Sequence, residues 1–346
     1  MSSQVKLTID IALAADNGYF GGLLVTACSI AKYADNSVKL RFNILDGGID
    51  NSNWNLLERK VSVFHSYSEI RRILVNDELF QNYPLWHGNR MAYARLILPD
   101  ALACVDWCIY CDVDFLWMKD IAELWAEREN RYTLIGTKDG AQWTLDREKV
   151  WFEGNGYQFN PNTYFCSGLC VFNLKAFREQ NLINKVEEIL KKHPDIQYPD
   201  QAALNIVTFG QTKIVSKCWQ QFHQDVTAEM VKEGVVIHYA GAIPWKPINI
   251  KIGLMSDLML LWHRMNAEIR GITLWQSLRM YFGVGHILWH RGLRDVLYTL
   301  NRIHCIAPFR FVLSATGHYG TWTYLQHGFS RLNGIFNPKK QAHHVH

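Results

Sequence analysis

The sequence predicts an α/β fold, a β-sheet with helices on its faces, for residues 1–263 of its 346 residues. Two observations lead to this prediction. Strand-like apolar runs take turns with stretches of helical periodicity, which is the pattern of a sheet flanked by helices. The composition, 49% hydrophobic and 20% charged, is that of an ordinary globular protein with a sizeable core.

The predicted elements follow one another along the chain. Their apolar and aromatic content favours strands at 5–15, 39–45, 107–111, 169–173 and 235–238. Apolar residues spaced three and four apart predict helices at 23–33, 53–61, 118–125 and 182–191. An amphipathic piece at 92–98 leads through Pro99 to the third strand, and Pro199-Asp200 is typical of a helix start.

Two carboxylates interrupt an apolar stretch near the middle of the chain. Asp112 and Asp114 stand between Trp107–Cys111 and Phe115–Trp117, and residues two apart on a strand face the same side. Like charges that close repel unless a cation lies between them, so the pair indicates a divalent metal. The alternative is that both aspartates only end a strand, since Asp is common in turns. The helical spacing that follows them is typical of the ligand edge of an α/β sheet and favours the metal.

The last 83 residues differ from the rest in charge. Residues 264–346 carry ten Lys or Arg against two acidic residues, whereas residues 1–263 carry 26 against 30. Aromatic residues are interleaved with the positive charges, which suits an anionic membrane surface. The alternative is a helical subdomain that packs these rings beneath a basic face. Single-stranded nucleic acid would suit the composition as well, but no recognition motif accompanies it, so we expect no nucleic-acid partner.

No segment predicts export or insertion into a membrane. The chain has no run of eighteen apolar residues, and Asp10 interrupts the short apolar stretch that resembles a signal peptide. Most of the eight cysteines lie in apolar stretches suited to buried thiols, which favours a reducing cytoplasm. The spacing of Cys104, Cys108 and Cys111 is a weak zinc pattern, since alternation along a strand would aim their sulfurs in different directions. We therefore expect a cytoplasmic protein, in peripheral contact with the inner face of the cell membrane.

Four further motifs carry side chains suited to ligand binding. The first predicted strand ends in Ala14-Ala15-Asp16-Asn17-Gly18-Tyr19, a carboxylate and a ring at an edge where a base can stack. Arg95 is the one charge in an apolar run. The other two motifs are Tyr-Pro-Asp-Gln-Ala-Ala-Leu-Asn at 198–205 and His-Tyr-Ala-Gly-Ala-Ile-Pro-Trp-Lys at 238–246.

With Asp112-Val113-Asp114, these motifs resemble, in their order, those of the family 8 retaining glycosyltransferases. That family includes bacterial lipopolysaccharide galactosyl- and glucosyltransferases, and the resemblance covers roughly residues 5–250. It implies a GT-A type nucleotide-diphospho-sugar transferase fold, with a single Rossmann-like mixed sheet flanked by helices and a mainly helical C-terminal extension. It also implies UDP-galactose or UDP-glucose as donor and Mn²⁺ as metal, with Mg²⁺ as the alternative.

The resemblance gives each matching residue a role. Asp112, Asp114 and His238, called the metal triplet below, would bind the ion, and an imidazole with two carboxylates suits Mn²⁺ better than Mg²⁺. Asp200 and Gln201 would face the donor sugar as catalytic residues. The residues expected to contact the donor besides the metal triplet are Ala14, Asp16, Tyr19, Arg95, Val113, Ser167, Gly168, Gly241 and Lys246.

The chain departs from the family pattern at three positions. Gly18 stands where Asn usually precedes Tyr in the first motif, so Asn17 is the candidate for that contact. Cys166 replaces the Asn of the Tyr-Phe-Asn-x-Gly loop, and a thiol is a poor substitute for an amide. Ile243 stands where the family has Lys before Pro-Trp, so Lys246 is expected to supply the charge at the phosphate.

Two classes of function follow. The first is a metal-dependent retaining glycosyltransferase that moves galactose or glucose from a UDP-sugar to a glycan acceptor. The acceptor would be lipopolysaccharide, another cell-surface glycan or a lipid-linked saccharide. The second is a non-catalytic sugar-nucleotide or glycan-binding protein on the same fold. Cys166 and the displaced Lys246 suggest it, because both depart from the family pattern. The intact metal triplet favours the enzyme, and for retention we favour front-face attack over a double displacement through Asp200.

Overall fold

A computed structural model of the chain describes residues 7–84, 90–241, 243–246 and 257–282. The chain divides into two compact units. The sheet unit comprises Met1–Phe222 with Val235–His238, and the helical unit comprises His223–Gly234 with Tyr239–His346. Residues 283–346, most of the predicted C-terminal extension, lie outside the described residues.

The strands described in the sheet unit form two sheets. They are β1 (Thr8–Ala15), β2 (Lys39–Asp46), β3 (Ser68–Leu74), β4 (Trp107–Cys111), β5 (Phe115–Trp117), β6 (Leu134–Lys138), β7 (Phe165–Asn173), β8 (Thr212–Val215), β9 (Gln221–Phe222) and β10 (Val236–His238). Seven of them lie in the order β3-β2-β1-β4-β7-β6-β8. Strand β7 runs antiparallel to β4 and β6, and the other neighbours pair in parallel. The predicted mixed α/β sheet is therefore confirmed.

Strands β5, β10 and β9 form a second, three-stranded sheet that the sequence did not predict. The chain leaves the large sheet after Cys111 and enters the small sheet at Phe115. Asp112 and Asp114 thus lie on the connection between two sheets. This connection, rather than alternation along one strand, brings the two carboxylates to one place.

Helices separate the strands, as the sequence predicts. Those of the sheet unit are α1 (Phe20–Tyr33), α2 (Asn51–Phe64), α3 (Leu98–Ala101), α4 (Ile121–Trp125), α5 (Gln142–Gly154), α6 (Leu174–Glu179), α7 (Leu182–Lys192) and α8 (Pro199–Val207). Helix α4 begins later than predicted, because the Asp120 carboxylate accepts the N–H of Ala122 and caps it. The segment predicted at 92–98 forms a 3₁₀ helix, Met91–Ile97, ahead of α3.

Helix α1 is buried over most of its length and anchors the segment that carries the aspartates. Thr26 Oγ1 lies 2.9 Å from the carbonyl oxygen of Val113 and 2.8 Å from that of Phe115. Ser29 Oγ accepts the N–H of Trp117 over 3.2 Å. Buried backbone groups need hydrogen-bond partners, so these two hydroxyls hold the connection between the sheets in place.

The helical unit contains α9 (Ala228–Glu233), α10 (Asp257–Arg270) and α11 (Leu274–Tyr281). Buried His263 joins α10 to its surroundings, with Nδ1 3.0 Å from Ser277 Oγ and Nε2 3.0 Å from the Pro244 carbonyl oxygen. Burial lowers the pKa of His263 to about 4. Helix α10 includes residue 263, where the sequence places the boundary between its two predicted domains. The division into domains 1–263 and 264–346 stays a prediction. None of the described helices is long and apolar enough to cross a membrane.

Candidate metal and sugar site

The metal triplet gathers at the junction of the two sheets. One ligand atom from each of Asp112, Asp114 and His238 lies within 4.8 Å of the other two. His238 Nε2 is 3.4 Å from Asp114 Oδ1, so this ring nitrogen faces the carboxylates. Cys104, Cys108 and Cys111, the weak zinc pattern, form no such cluster among the described residues, and none of the described cysteines is in a disulfide.

The His238 ring is held on both faces and at its far nitrogen. Phe115 stacks on it with ring centroids 4.2 Å apart, and Phe222 stacks at 5.4 Å. Its Nδ1 lies 3.3 Å from Nε2 of buried Gln220, whose Oε1 accepts the hydroxyl of Thr137 over 3.0 Å. The amide nitrogen of Gln220 can only donate, so in this arrangement Nδ1 accepts and a neutral His238 ring carries its proton on Nε2, towards Asp114. Binding a metal through Nε2 would require the Gln220 amide to turn, so that its oxygen accepts from Nδ1–H while its nitrogen donates to the Thr137 hydroxyl. Gln220 lies outside every motif, so it was not predicted as a site residue.

Gly168 makes room for the triplet. A Cβ at this position would lie 3.0 Å from Cε1 of His238 and 3.2 Å from Oδ2 of Asp112. Any larger residue would fill the space in front of two of the ligand groups. The donor set of one imidazole and two carboxylates, with this cleared space beside it, fits a divalent first-row cation.

Arg95 links the triplet to the sugar-facing residues. It is only 3% exposed, and its Nη2 donates to Asp112 Oδ1 over 2.8 Å. Its Nη1 lies 3.2 Å from Asp200 Oδ2 and 2.6 Å from the carbonyl oxygen of Ser167, and Nε donates to the Ala92 carbonyl oxygen. All three guanidinium nitrogens thus have protein acceptors. The geometry favours the ion-pair role, and a contact of Arg95 with the donor stays a prediction.

Burial and neighbouring charges set the protonation of these groups. Burial opposes the charge of Arg95, but Asp112, Tyr110 and Asp200 raise the pKa of its guanidinium well above the usual value. Burial and the nearby Asp114 raise the pKa of Asp112, while Arg95 opposes that rise. His238 holds the pKa of Asp114 below its usual value despite burial. The two carboxylates are therefore unequal, and a cation between them would favour the ionised form of both.

Asp200, a member of this ion pair, and Gln201 lie in the first turn of α8. Ser167 Oγ donates to Asp200 Oδ2 over 3.1 Å, and the Ser167 N–H donates to Gln201 Oε1 over 3.0 Å. Gln201 Nε2 donates to Asp139 Oδ2 over 3.1 Å and to the hydroxyl oxygen of Tyr164 over 3.2 Å. The structure thus brings Asp200, Gln201 and Ser167 together, and adds Asp139, which follows β6 and which no predicted motif contained.

Cys166, which replaces the Asn of the family loop, lies next to Ser167 in the sequence. Cys166 is buried on β7, one residue before Ser167. Burial raises the pKa of the Cys166 thiol, so it is a neutral, weakly polar group. The hydroxyl and backbone N–H of Ser167, rather than this thiol, donate the hydrogen bonds to Asp200 and Gln201.

The first motif forms the turn after β1. The Asp16 side chain accepts the N–H of Tyr19 over 3.0 Å and caps a short 3₁₀ helix, Asn17–Tyr19. Asn17 Oδ1 accepts the N–H of Asp50 over 3.3 Å and the side-chain amide of Asn53 over 2.8 Å. The oxygen of Asn17 is therefore engaged with the start of α2. The nucleotide contacts predicted for Ala14, Asp16 and Tyr19 stay predictions.

The last motif is shared between the two units. His238 ends β10 in the sheet unit, whereas Gly241 and Lys246 belong to the helical unit. Gly241 has a positive φ of 73°, a conformation that glycine adopts without strain. The backbone N–H of Lys246 donates to the carbonyl oxygen of Ile243 over 3.2 Å. The phosphate contacts of Gly241 and Lys246 stay predictions.

Comparison with known sequences gives a consistent result. The sequence model described as "Glycosyl transferase family 8" matches residues 10–249. General stress protein A of Bacillus subtilis is 27% identical over 222 residues, which cover 62% of this chain and 71% of that protein. A putative glycosyltransferase of Haemophilus influenzae is 27% identical over 215 residues, covering 60% of this chain and 62% of that protein. The match therefore spans less than two thirds of the second relative.

Solved structures share the fold. The galactosyltransferase LgtC, in complex with donor and acceptor sugar analogs, has a TM-score of 0.64 and 24% identity, covering 79% of this chain and all of LgtC. The bifunctional glycosyltransferase WbbM has a TM-score of 0.60 and 18% identity, covering 78% of this chain and 52% of WbbM. At these identities the similarity shows the fold, which is that of GT-A glycosyltransferases.

Proposed function

This chain belongs to glycosyl transferase family 8, and on that premise we propose that it is a metal-dependent, retaining hexosyltransferase. Its donor is UDP-galactose or UDP-glucose, and its acceptor is a glycan. The observation that carries the proposal is the metal triplet, whose ligand atoms lie within 4.8 Å of one another beside the Arg95 ion pair. A purely structural carboxylate pair would need neither the imidazole nor the cleared space at Gly168.

The donor set supports Mn²⁺, with Mg²⁺ as the alternative. An imidazole nitrogen suits Mn²⁺ better than Mg²⁺, which prefers oxygen ligands and retained waters. Asp112, Asp114 and His238 would hold the ion through two carboxylates and Nε2. When bound, it would supply Lewis-acid stabilisation of the UDP leaving group. The protein's own part is to hold the ligands in place, with Arg95 bound to Asp112 and Gln220 next to the His238 ring.

The residues around α8 are suited to orienting a hexose. Asp139, Asp200 and Gln201 carry carboxylate and amide groups in one hydrogen-bonded cluster. Such groups can bind the hydroxyls of a sugar ring and fix its orientation. Holding the sugar in the reactive orientation lowers the activation barrier of transfer. Asp16 and Tyr19 would hold the uracil, and Gly241 and Lys246 would approach the phosphates.

Front-face attack accounts for retention with these residues. In that step the bond between the anomeric carbon and the phosphate oxygen breaks, and the acceptor oxygen bonds to the same face of the sugar. The acceptor proton passes to the departing phosphate oxygen. Asp200 is held by Arg95 and Ser167, and an amide such as Gln201 is a weak nucleophile, so neither is suited to a covalent intermediate. A glycosyl-enzyme trapped on Asp200 would contradict this mechanism.

The acceptor and the location extend the proposal. We assign a lipopolysaccharide, another cell-surface glycan or a lipid-linked saccharide as acceptor. The cytoplasmic protein would reach it at the inner membrane face through residues 264–346, whose ten basic and two acidic residues suit anionic lipid. Flotation of the full chain with neutral vesicles and with phosphatidylglycerol vesicles tests this. Binding should need the anionic lipid and fall with salt; equal binding to both vesicles would refute the attachment.

A donor hydrolysis screen tests the catalytic proposal. Purified protein is incubated with UDP-galactose, UDP-glucose and related donors in Mn²⁺, in Mg²⁺ or in EDTA, and released UDP is measured. We expect turnover of a hexose donor with metal and its loss in EDTA. The Asp114→Asn variant should lose this activity, while Asp195→Asn, at an exposed position after α7, should keep it. If no donor turns over but UDP-sugars still bind, the chain is the non-catalytic binding protein instead.

A further inference from the structure

An exposed tryptophan stands at the start of α5, next to a tyrosine that precedes α8. Trp143 is 58% exposed, and its ring centroid lies 6.3 Å from that of Tyr198 at an interplanar angle of 55°. The guanidinium of Arg147 lies 5.8 Å from the Trp143 ring centroid, one helical turn further along. We call Trp143 and Tyr198 the aromatic platform.

The aromatic platform lies beside the residues assigned to the donor sugar. Asp139, four residues before Trp143, accepts the N–H of Ala141 over 2.9 Å and the amide of Gln201 over 3.1 Å. Tyr198 stands two residues before Asp200. Burial raises the pKa of the Tyr198 hydroxyl, while a hydrogen bond with the Thr144 side chain lowers it.

We propose that the aromatic platform binds a pyranose ring of the acceptor glycan, which stacks on Trp143. The inference rests on the proposed hexosyltransferase function and adds the acceptor side of the same site. A pyranose presents an apolar face of C–H groups and a rim of hydroxyls. The indole supplies a wide apolar surface for the face, and Arg147 and Asp146, which accepts the amide of Gln142 over 2.8 Å, offer polar partners for the rim.

The composition of this surface favours a sugar over a lipid surface. Isolated exposed apolar residues are common, and most need no explanation. Here the exposed residues next to this ring on α5, namely Gln142, Asp146 and Arg147, are polar or charged, which suits the hydroxyl rim of a sugar better than it suits lipid. A sugar site commonly combines one ring with a few polar groups, and this ring adjoins the donor-sugar residues.

Glycan binding and transfer test the assignment. The full-length wild-type protein, Trp143→Ala and Trp143→Phe are applied to an array of neutral hexose oligosaccharides, and transfer from the active UDP-hexose to lactose and maltose is measured. Trp143→Ala should raise the KM for the saccharide acceptor about tenfold, because the bound sugar loses its contact with the indole ring. The variant should also shift turnover towards donor hydrolysis. Trp143→Phe should recover much of the loss. Val63→Ala, 75% exposed on α2 and away from the platform residues in the sequence, should behave as wild type.

The outcomes separate this inference from the proposed function. Equal array binding and equal acceptor KM in wild type and Trp143→Ala would overturn the acceptor platform while leaving donor hydrolysis, and so the proposed function, intact. Absence of wild-type binding to every glycan on the array would overturn it too. If donor hydrolysis fails but Trp143-dependent glycan binding is found, the platform stands and the catalytic proposal falls.

Discussion

Nη2 of Arg95 donates to Oδ1 of Asp112 over 2.8 Å, so a buried cation orients the first carboxylate of the metal triplet. The other guanidinium arm reaches the carboxylate that starts α8. One side chain therefore couples the metal half of the site to the sugar half. Breaking a buried ion pair by removing one partner is strongly destabilising, because the other charge is left without compensation.

We expect Arg95→Met to lower the free energy of unfolding by about 3 kcal/mol or more, since Asp112 and Asp200 lose their buried cation. Arg95→Lys should be intermediate, because an ammonium cannot serve both carboxylates as a fork. Urea unfolding followed by circular dichroism measures the effect. Arg71→Met removes an Arg whose side chain is 46% exposed and should cost far less. Equal unfolding curves for Arg95→Met and Arg71→Met would contradict the ion-pair role.

Gln220→Leu should weaken Mn²⁺ binding about 10- to 100-fold, the usual cost of losing the outer partner of a histidine ligand. Leucine is close in size but has no amide oxygen that could turn to accept from Nδ1–H of His238, and it cannot hydrogen-bond to Thr137. Titration of free Mn²⁺ by electron paramagnetic resonance measures the affinity without any turnover. The matched control is Gln158→Leu on the surface, which should bind Mn²⁺ as the wild type does. An unchanged affinity in Gln220→Leu would show that His238 needs no outer partner.

Gly168→Ala places a methyl group 3.0 Å from His238 Cε1 and 3.2 Å from Asp112 Oδ2, closer than carbon atoms normally pack. The ligands must move apart, so Mn²⁺ affinity should fall by at least about tenfold. Isothermal calorimetry with Mn²⁺ measures it. Gly154→Ala, where the added Cβ meets nothing within 4 Å, is the control and should leave the affinity unchanged. Equal affinities in both variants would mean that the cleared space is not a metal site.

Buried Glu148 makes the stability of the sheet unit depend on pH. Burial raises the pKa of its carboxyl from 4.5 to about 7, although the Tyr164 hydroxyl donates to it over 2.9 Å. The folded protein therefore holds this proton more tightly than the unfolded chain does. Its contribution is present below pH 4.5 and is lost as the pH rises through about 7, a difference of about 3 kcal/mol.

Glu148→Gln keeps an acceptor for Tyr164 but carries no charge at any pH. The variant should unfold at higher denaturant than the wild type at pH 8 and at a similar concentration at pH 4. Glu153→Gln, whose side chain is 58% exposed on the same helix, controls for the general effect of removing a carboxylate. A Glu148→Gln protein that is less stable than wild type at pH 8 would show that the ionised carboxylate is favourable in the fold.

The sequence predicted the alternating core of the fold because strands such as β1 and β4 are nearly continuous apolar runs. It missed β3, whose Ser-Glu-Ile-Arg-Arg-Ile-Leu sequence carries three charges, because this strand forms the partly exposed edge of the large sheet. It missed β9, since two residues have no periodicity. Short strands and exposed edges are defined by their neighbours rather than by their own composition.

The sequence predicted only those residues of the candidate site that stand in local motifs. Asp112, Asp114 and His238 were found because they stand in recognisable motifs, and the structure brings them together. Gln220 and Asp139 lie outside those motifs and reach the site only through tertiary packing. No local pattern could distinguish them from other polar residues of the chain. The second sheet was missed for the same reason, because only the pairing of the strands shows that the chain changes sheet after Cys111.

The metal triplet spans about 125 positions along the chain, since its imidazole stands far downstream of its carboxylates. Contacts so distant in sequence must close a long loop, and we expect them to form late in folding. An ion bound only by the completed set stabilises the native state, and it acts chiefly on interactions absent from the folding transition state. Metal should then slow unfolding far more than it speeds refolding. The lifetime of the folded chain would thus follow the free metal concentration around it.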